Sequence, residues 1–433
     1  MWPLLVLAAT RRVLLYVDPC AERLHVLPAC ERRGVDVVRL HSPPAASAIL
    51  QGAADEETVL RVRASTAPPA GKEREWAASQ LPPGTTVCGV LCGSDGGLAT
   101  AERLQHVLAP SRSNGVLPAR RDKFEMNEVL RSRGLAALAQ CAPSEWDDAA
   151  RFLRQHGYPV VVKPRRGQAS VLVGVAESEH QAHHMFEIVR KATVSLDNTE
   201  AASGCVVVQE LLVGSEWVVD TVSASGEHKC VALWKYDKGA ANGAPFVYFC
   251  DELRPCSGEQ EAALISFAFA ALDALEWRWG PCHIEIMMTV DGPRLVEVNA
   301  GRWNGVDFQG LVSICTGYDA YEATLDAYLD NEAWEHVAST PPAELLGAAR
   351  LVKLVSSVEG ELMELQHTQQ LDALPSLIRF EPEPSQIGEN VSLTVDLATC
   401  AGYAYLLHGD PTVVAEDYAT IRKLQPTLFS VRT

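Results

Sequence analysis

No run of apolar residues in this chain approaches the roughly 18 that a membrane-spanning helix needs. No Cys-x-x-Cys pair occurs, the nearest couple being Cys88 and Cys92. Twelve cysteines in 433 residues are too sparse for a disulfide scaffold. Most lie in apolar runs (Cys88, Cys205, Cys230, Cys282), where a reduced, buried thiol is expected and a reducing compartment follows. Repeats with a period of about 20–50 residues are absent, as are low-complexity tracts. Positive charge is in deficit: 37 Lys+Arg face 55 Asp+Glu, a net charge of -18. Such a surface repels phosphate backbones and anionic lipid, so neither nucleic acid nor a membrane face is an expected partner. Small anionic ligands are left to a local basic pocket.

What is present is globular composition, 47% hydrophobic and 21% charged, with material for a large core. That balance excludes collagenous, coiled-coil and wholly disordered chains. At about 150 residues per domain the length suggests two to four domains. Met1 to Thr10 is apolar, but no basic residue precedes it and Arg11-Arg12 follows, which is a poor secretion signal. Val13 to Val17 reads as the first strand of a domain. A soluble, cytoplasmic protein is the expectation.

The chain divides into three α/β blocks and a tail. In the first, strands at 13–17, 35–40 and 86–91 alternate with helices at 20–33 and 98–108. Strand, glycine turn (Gly93 to Gly97), helix is the unit of a parallel open sheet. Pro43-Pro44, Pro68-Pro69 and Pro82-Pro83 mark the stretch between as partly loop. The second block has helices at 122–133, 144–156 and 178–192 with strands at 159–164 and 170–176. The third is strand-rich, at 205–210, 216–223, 229–236, 282–290 and 293–299, with a helix at 258–276 and another near 317–330. Asp291-Gly292 predicts a hairpin between the last two of those strands. Residues 343–433 form a smaller mixed tail.

That hairpin is the most informative segment. Alternation puts His283, Glu285 and Met287 on one face of the first strand, and Glu297 and Asn299 on one face of the second. Two carboxylates and an amide oxygen converge, a hard-oxygen set suited to Mg²⁺ when phosphates complete its shell. A solvated hairpin is the bland reading, yet acids in such apolar strands are costly. Lys123 opens a helix, and Lys163 ends an apolar strand before the basic loop 165–170 (Arg-Arg-Gly-Gln-Ala-Ser), a combination suited to phosphate oxygens. Gln209-Glu210-Leu211-Leu212 ends a strand in a linker whose backbone can read an adenine edge. Glu216, just beyond, can accept ribose hydroxyls. His180, His183 and His184 have ligand-like spacing but read better as a solvated or partly packed helix face.

In this order, with Glu297-x-Asn299 and Arg302, the residues resemble the ATP-grasp superfamily of carboxylate–amine ligases. Within it, the chain is most similar to dipeptide-forming L-amino-acid ligases and carnosine-synthase-like enzymes. The likeness spans roughly residues 10–335, and the tail resembles the small C-terminal domain of those ligases. It implies an α/β (α+β) ATP-grasp architecture in four parts: an N-terminal α/β pre-grasp domain (1–115), a lid subdomain (116–203), a central antiparallel-sheet subdomain (204–338) and a small C-terminal domain (339–433). Lys123, Lys163, Ser170 and Lys238 would meet ATP phosphates, with Lys238 also catalytic. Gln209, Glu210, Leu211 and Leu212 would recognise adenine, and Glu216 the ribose. Glu285, Glu297 and Asn299 would hold Mg²⁺, two ions being expected and Mn²⁺ able to substitute. Arg302 would be catalytic, contacting the transferred phosphate and the substrate carboxylate. Trp303, Asn304, Asp307 and Phe308 should face the acceptor pocket, with 239–246 a mobile loop beside it.

The implied reaction joins an amino acid or small carboxylate to an amine through an acylphosphate, releasing ADP and phosphate. No protein nucleophile is required, and Cys282 beside His283 reads as core. Homodimers are common among such enzymes. A carboxylase or purine-pathway ligase, or an ATP-binding regulatory protein without turnover, are the alternatives. Two features depart from the family pattern: the phosphate loop has fewer Gly and Ser, and Arg302 stands three residues after Asn299 rather than two.

Overall fold

The computed structural model describes residues 11–19, 26–42, 64–167, 170–191 and 206–432. The apolar leader Met1–Thr10, the first part of the helix expected at 20–33, Pro43-Pro44, Gln168 and Ala169, and Cys205 fall outside the described residues.

Four sheets organise the described residues. The first contains β1 (Arg11–Val17), β2 (Asp36–His41), β3 (Ala64–Thr66) and β4 (Thr85–Cys92), parallel in the order β3-β2-β1-β4. The apolar run of β1 is buried on both faces, as a parallel strand covered by helices requires. Helix Leu98–Leu108 follows β4 through the turn at Gly93. A Cβ on Gly93 would lie 2.2 Å from the Asp18 carbonyl oxygen, so only glycine fits there.

The second sheet has β5 (Gln140–Cys141), β6 (Val160–Pro164), β7 (Gly174–Ala176) and β8 (Val206–Glu210), antiparallel in the order β5-β8-β6-β7. Helices Trp146–His156 and Glu179–Lys191 cover it over a core of Leu153, Val160, Val162, Phe186 and Val208. The strand expected at 170–176 is shorter: Ser170 to Leu172 form a turn in which Ser170 and Leu172 have positive φ.

The third sheet holds β9 (Ser215–Ala224), β10 (Glu227–Ala241), β11 (Ala244–Leu253), β12 (Gly280–Thr289), β13 (Gly292–Ala300) and β14 (Ala348–Lys353). The tail adds β15 (Gly360–Leu365), β16 (Leu377–Pro382), β17 (Asn390–Val391), β18 (Gly402–His408) and β19 (Phe429–Arg432). The eight-stranded order is β13-β12-β9-β10-β11-β14-β18-β16, and β17-β15-β19 make a small fourth sheet. The large sheet therefore runs through the 338/339 boundary, because β14 pairs with β11.

The segment expected as a mobile loop, 239–246, is instead the tip of the β10–β11 hairpin, with Asn242-Gly243 as its turn. The Asn242 amide donates to the carbonyls of Ser356 and Thr394, 2.8 and 2.7 Å away, which pins the tip to the tail. β11 escaped the sequence reading because its start, Ala244 to Phe246, was assigned to that loop, although Phe246 to Cys250 is an unbroken apolar run. The β12–β13 hairpin closes one residue earlier than expected, with Thr289 opposite Gly292. A bulge between Glu285 and Ile286 then shifts the register by one residue.

Candidate functional site

A cavity of about 410 Å³ lies against one face of the large sheet, roofed by the second sheet. Of the residues singled out from the sequence, Lys123, Lys163, Ser170, Gln209, Glu210, Leu211, Leu212, Glu216, Lys238, Glu285, Glu297, Arg302 and Asn304 line it. The β12 bulge places Glu285 directly opposite Glu297 and His283 opposite Asn299. Without it Glu285 would face Val296, and Glu297 would fall beside Ile284.

Lys123 is the first residue of helix Lys123–Ser132, capped by Asp122, whose carboxylate accepts from the amides of Phe124 and Glu125. A cation there opposes the helix dipole. Glu297 compensates it, its Oε2 lying 2.5 Å from the Lys123 Nζ, which also donates to the Gly167 carbonyl at 2.9 Å. The phosphate-loop arginines point elsewhere: the Arg165 Nε donates to Asp122 Oδ1 at 2.9 Å, tying the loop to that cap.

Lys163 is buried at the end of β6 and has no ion-pair partner among the described residues. Burial, reinforced by the Lys123 charge, brings its ammonium down to about 8. An ammonium buried without a counter-ion is costly unless an anion completes its surroundings.

Glu216 and Lys238, expected at the ribose and the phosphates respectively, form one part-buried pair with Nζ 2.6 Å from Oε1. The Lys238 ammonium also lies 3.8 Å from the centre of the Tyr248 ring. Burial alone would lower Lys238, but Glu216 outweighs it and holds the group above its ordinary value. The Gln209 amide nitrogen is taken by Gln140 Oε1 at 2.8 Å, while Glu210 Oε1 accepts from the Ala139 amide at 2.9 Å.

Beneath the acids runs a chain that the sequence reading missed. His283 bridges Asp220 Oδ1 at 3.1 Å and Glu285 Oε1 at 3.2 Å, all three buried. The Trp234 indole donates to Asp220 at 2.9 Å. Burial works against charge on His283, but hydrogen bonds to both carboxylates prevail and raise it to about 9. Burial would likewise raise Glu285, yet His283, Lys238 and Arg302 hold its carboxyl well below the ordinary range.

Four residues are placed differently from expectation. Asn299 is turned toward a small neighbouring void and donates its amide to Glu297 Oε1 at 3.1 Å. Trp303 is core: its indole donates to Thr324 Oγ1 at 3.0 Å and its ring packs edge-on against Tyr16 and Tyr321. Asp307 caps the turn 308–312 through the Gly310 amide and pairs with Arg379 at 3.1 Å, outside the cavity lining, and Phe308 is buried in the same core. Trp303 and Phe308 are large and apolar, so the packed side of this segment claims them. The expected packing of the histidines fits better: His183 lies on Trp146, ring centres 4.4 Å apart.

The donor chemistry suits Mg²⁺. Glu285 and Glu297 are neighbouring hard-oxygen donors, each satisfied by a cation, His283 or Lys123. Among the described residues no cluster of three or more His, Cys, Asp or Glu could hold an ion. An ion here would depend on phosphate oxygens for the rest of its shell, as Mg²⁺ with nucleotides does.

Residues 156–309 match the family model of the ATP-grasp domain. The chain carries an ATP-grasp domain. It shares 26% identity over 374 residues with dapdiamide A synthase of Enterobacter agglomerans, covering 82% of this chain and 83% of that protein. It also shares 28% identity over 169 residues with carnosine synthase 1 of Homo sapiens, covering 37% of this chain but only 20% of that protein. The L-amino acid ligase structure from Bacillus licheniformis superposes with a TM-score of 0.73 at 16% identity, covering 98% of this chain and 100% of that one. The ATP-grasp fold thus extends beyond the matched domain to nearly the whole chain. No helix among the described residues is long and apolar enough to cross a membrane.

Proposed function

We propose that this protein is an ATP-dependent carboxylate–amine ligase that makes a peptide or amide bond through an acylphosphate, with Mg²⁺ as its metal. One observation carries the reading: a single cavity holds Lys163, which has no ion-pair partner among the described residues, the facing acids Glu285 and Glu297, and Arg302. Those groups serve phosphoryl transfer, which needs positioning and charge neutralisation rather than a protein nucleophile. No cysteine lines the cavity among the described residues, and burial pushes the Cys282 thiol up. The likeness to dapdiamide A synthase and to an L-amino acid ligase supports the same chemistry.

In this reading the second sheet, β5 to β8, is the lid, which runs past residue 203 to Glu210 because β8 pairs with β5 and β6, and the adenine sits against Gln209 to Leu212. Lys123 and Lys163 bind the phosphates. Glu285 and Glu297 would hold Mg²⁺, which would supply neutralisation of phosphate charge, and Asn299 steadies Glu297. Arg302 orients the substrate carboxylate. A carboxylate oxygen takes the γ-phosphoryl group as its bond to ADP breaks. The amine nitrogen then bonds to the acyl carbon, the carbon–oxygen bond to phosphate breaks, and nitrogen releases a proton.

The test is ADP and phosphate release from MgATP with pooled amino acids, with and without other small amines, and mass spectrometry of the products. Amine-dependent ADP together with a condensed mass establishes the ligase. AMP and pyrophosphate would sink the acylphosphate route, and bicarbonate-dependent turnover without amine would point to a carboxylase.

A further inference from the structure

The cavity extends past the acids to a second charged pair. Lys353 ends β14 and Asp251 sits in β11; both are buried, both line the cavity and they form an ion pair. Their positions are fixed from behind. β14 pairs with β11 at Cys250–Val352 and Asp251–Leu351, and the Lys353 carbonyl accepts from Gln425 Nε2 at 3.0 Å. Tyr236 and Tyr248 stand between this pair and Lys238–Glu216. The Lys353 ammonium lies 5.6 and 6.0 Å from their ring centres.

Asp251 is not satisfied by Lys353 alone. Its Oδ1 is buried and has no hydrogen-bond partner among the described residues. A buried acceptor left unmade is unfavourable, and a ligand N–H would relieve it. Asp251 is thus a half-used carboxylate beside an ammonium, in a cavity walled by aromatic rings.

Distance decides which part of a substrate reaches it. Asp251 lies three strands from Glu285 in the order β12-β9-β10-β11, a separation of roughly 14 Å across the sheet. An activated carboxylate at the metal-binding acids cannot itself extend that far. A phosphate, an acyl carbon, an incoming amine and that amine's own carboxylate, laid end to end, cover a comparable span.

We infer that Lys353 and Asp251 are specificity-determining residues that select an α-amino acid as the amine-bearing substrate. Lys353 takes its free carboxylate, and Asp251 Oδ1 accepts a hydrogen bond from its amine. The assignment rests on the ligase reading. Without substrate the two side chains neutralise each other; the zwitterion replaces that pairing with one of matching charges. A plain amine leaves Lys353 without a new partner and gains less.

The experiment compares each of the common L-amino acids with its carboxamide as second substrate, following ADP release and product mass. Except for those of Asp and Glu, such a carboxamide has no carboxylate to activate, so it reports on the acceptor position alone. The intact enzyme is expected to show a KM for the carboxamide at least about tenfold above that for the amino acid, the effect of one charge-assisted contact. Lys353→Gln should raise the amino-acid KM to the carboxamide value while the ATP KM stays unchanged. Lys353→Arg should restore part of the preference, which also covers the case where Lys353→Gln fails to fold. Equal use of acids and carboxamides by the intact enzyme, or an undiminished preference in Lys353→Gln, overturns the assignment and leaves the ligase standing. No ADP from any carboxylate and amine removes the ligase reading, and this assignment with it.

Discussion

The Arg302 Nε donates to Asp95 Oδ1 across 2.6 Å, joining the glycine turn of the first sheet to the floor of the cavity. Gly301, at φ +81°, turns the chain after β13, so the guanidinium reaches both Asp95 and the cavity. Asp95→Asn should keep the fold and the ATP KM while lowering kcat by about 10- to 100-fold, because a misplaced orienting group costs about that much. Arg302→Ala should lower kcat further. Normal steady-state rates in both variants would move the carboxylate-orienting role elsewhere.

Lys163 gives a pH dependence. With its folded value near 8, the ammonium is charged at neutral pH and loses its charge as pH rises through about 8. kcat/KM for ATP, which reports the free enzyme, should therefore fall above that pH. Lys163→Arg, whose charge persists, should flatten the profile. Lys163→Ala should weaken ATP binding far more than amine binding; equal losses would argue against a phosphate role.

His283 carries a stability dependence of opposite origin. Its folded value, about 9, is raised from the ordinary 6.5. The stabilisation is fully present below about 6.5 and is lost as pH rises through about 9, a contribution on the order of 3 kcal/mol. Urea unfolding across that window should show the decline. In His283→Gln the slope should be absent and the protein weaker at neutral pH, because Asp220 and Glu285 lose the charge between them. A pH-independent midpoint in the unmodified protein would contradict the charged bridge.

Glu297→Gln removes charge without volume. Turnover should fall by at least about 100-fold, the usual scale for one electrostatic contributor, while the circular dichroism spectrum stays unchanged. The Mg²⁺ concentration for half-maximal rate should rise. Unchanged turnover would remove Glu297 from the metal-binding set.

Trp303→Ala separates packing from recognition. As a core residue between Tyr16 and Tyr321, its truncation should cost about 3–5 kcal/mol in denaturant unfolding. A stable variant with altered substrate preference would return Trp303 to the pocket.

The acids of the β12–β13 hairpin, the cations Lys123 and Lys163 and the 209–212 linker were legible in the sequence alone. Each depends on a local regularity, strand alternation or the end of an apolar run, that the backbone imposes within a few residues. What the tertiary structure decided is how distant pieces meet. Whether Glu285 faces Glu297 or Val296 turns on one bulge. Asp95 and Arg302 are 207 residues apart, and Asp251 meets Lys353 only because β14 adds to the edge of β11. Trp303 and Asn304 are adjacent, yet one enters the core and the other the cavity, which only the packed neighbours of that loop could settle. Side-chain periodicity is written in the chain; strand order and bulge position are chosen by the free energy of the whole fold.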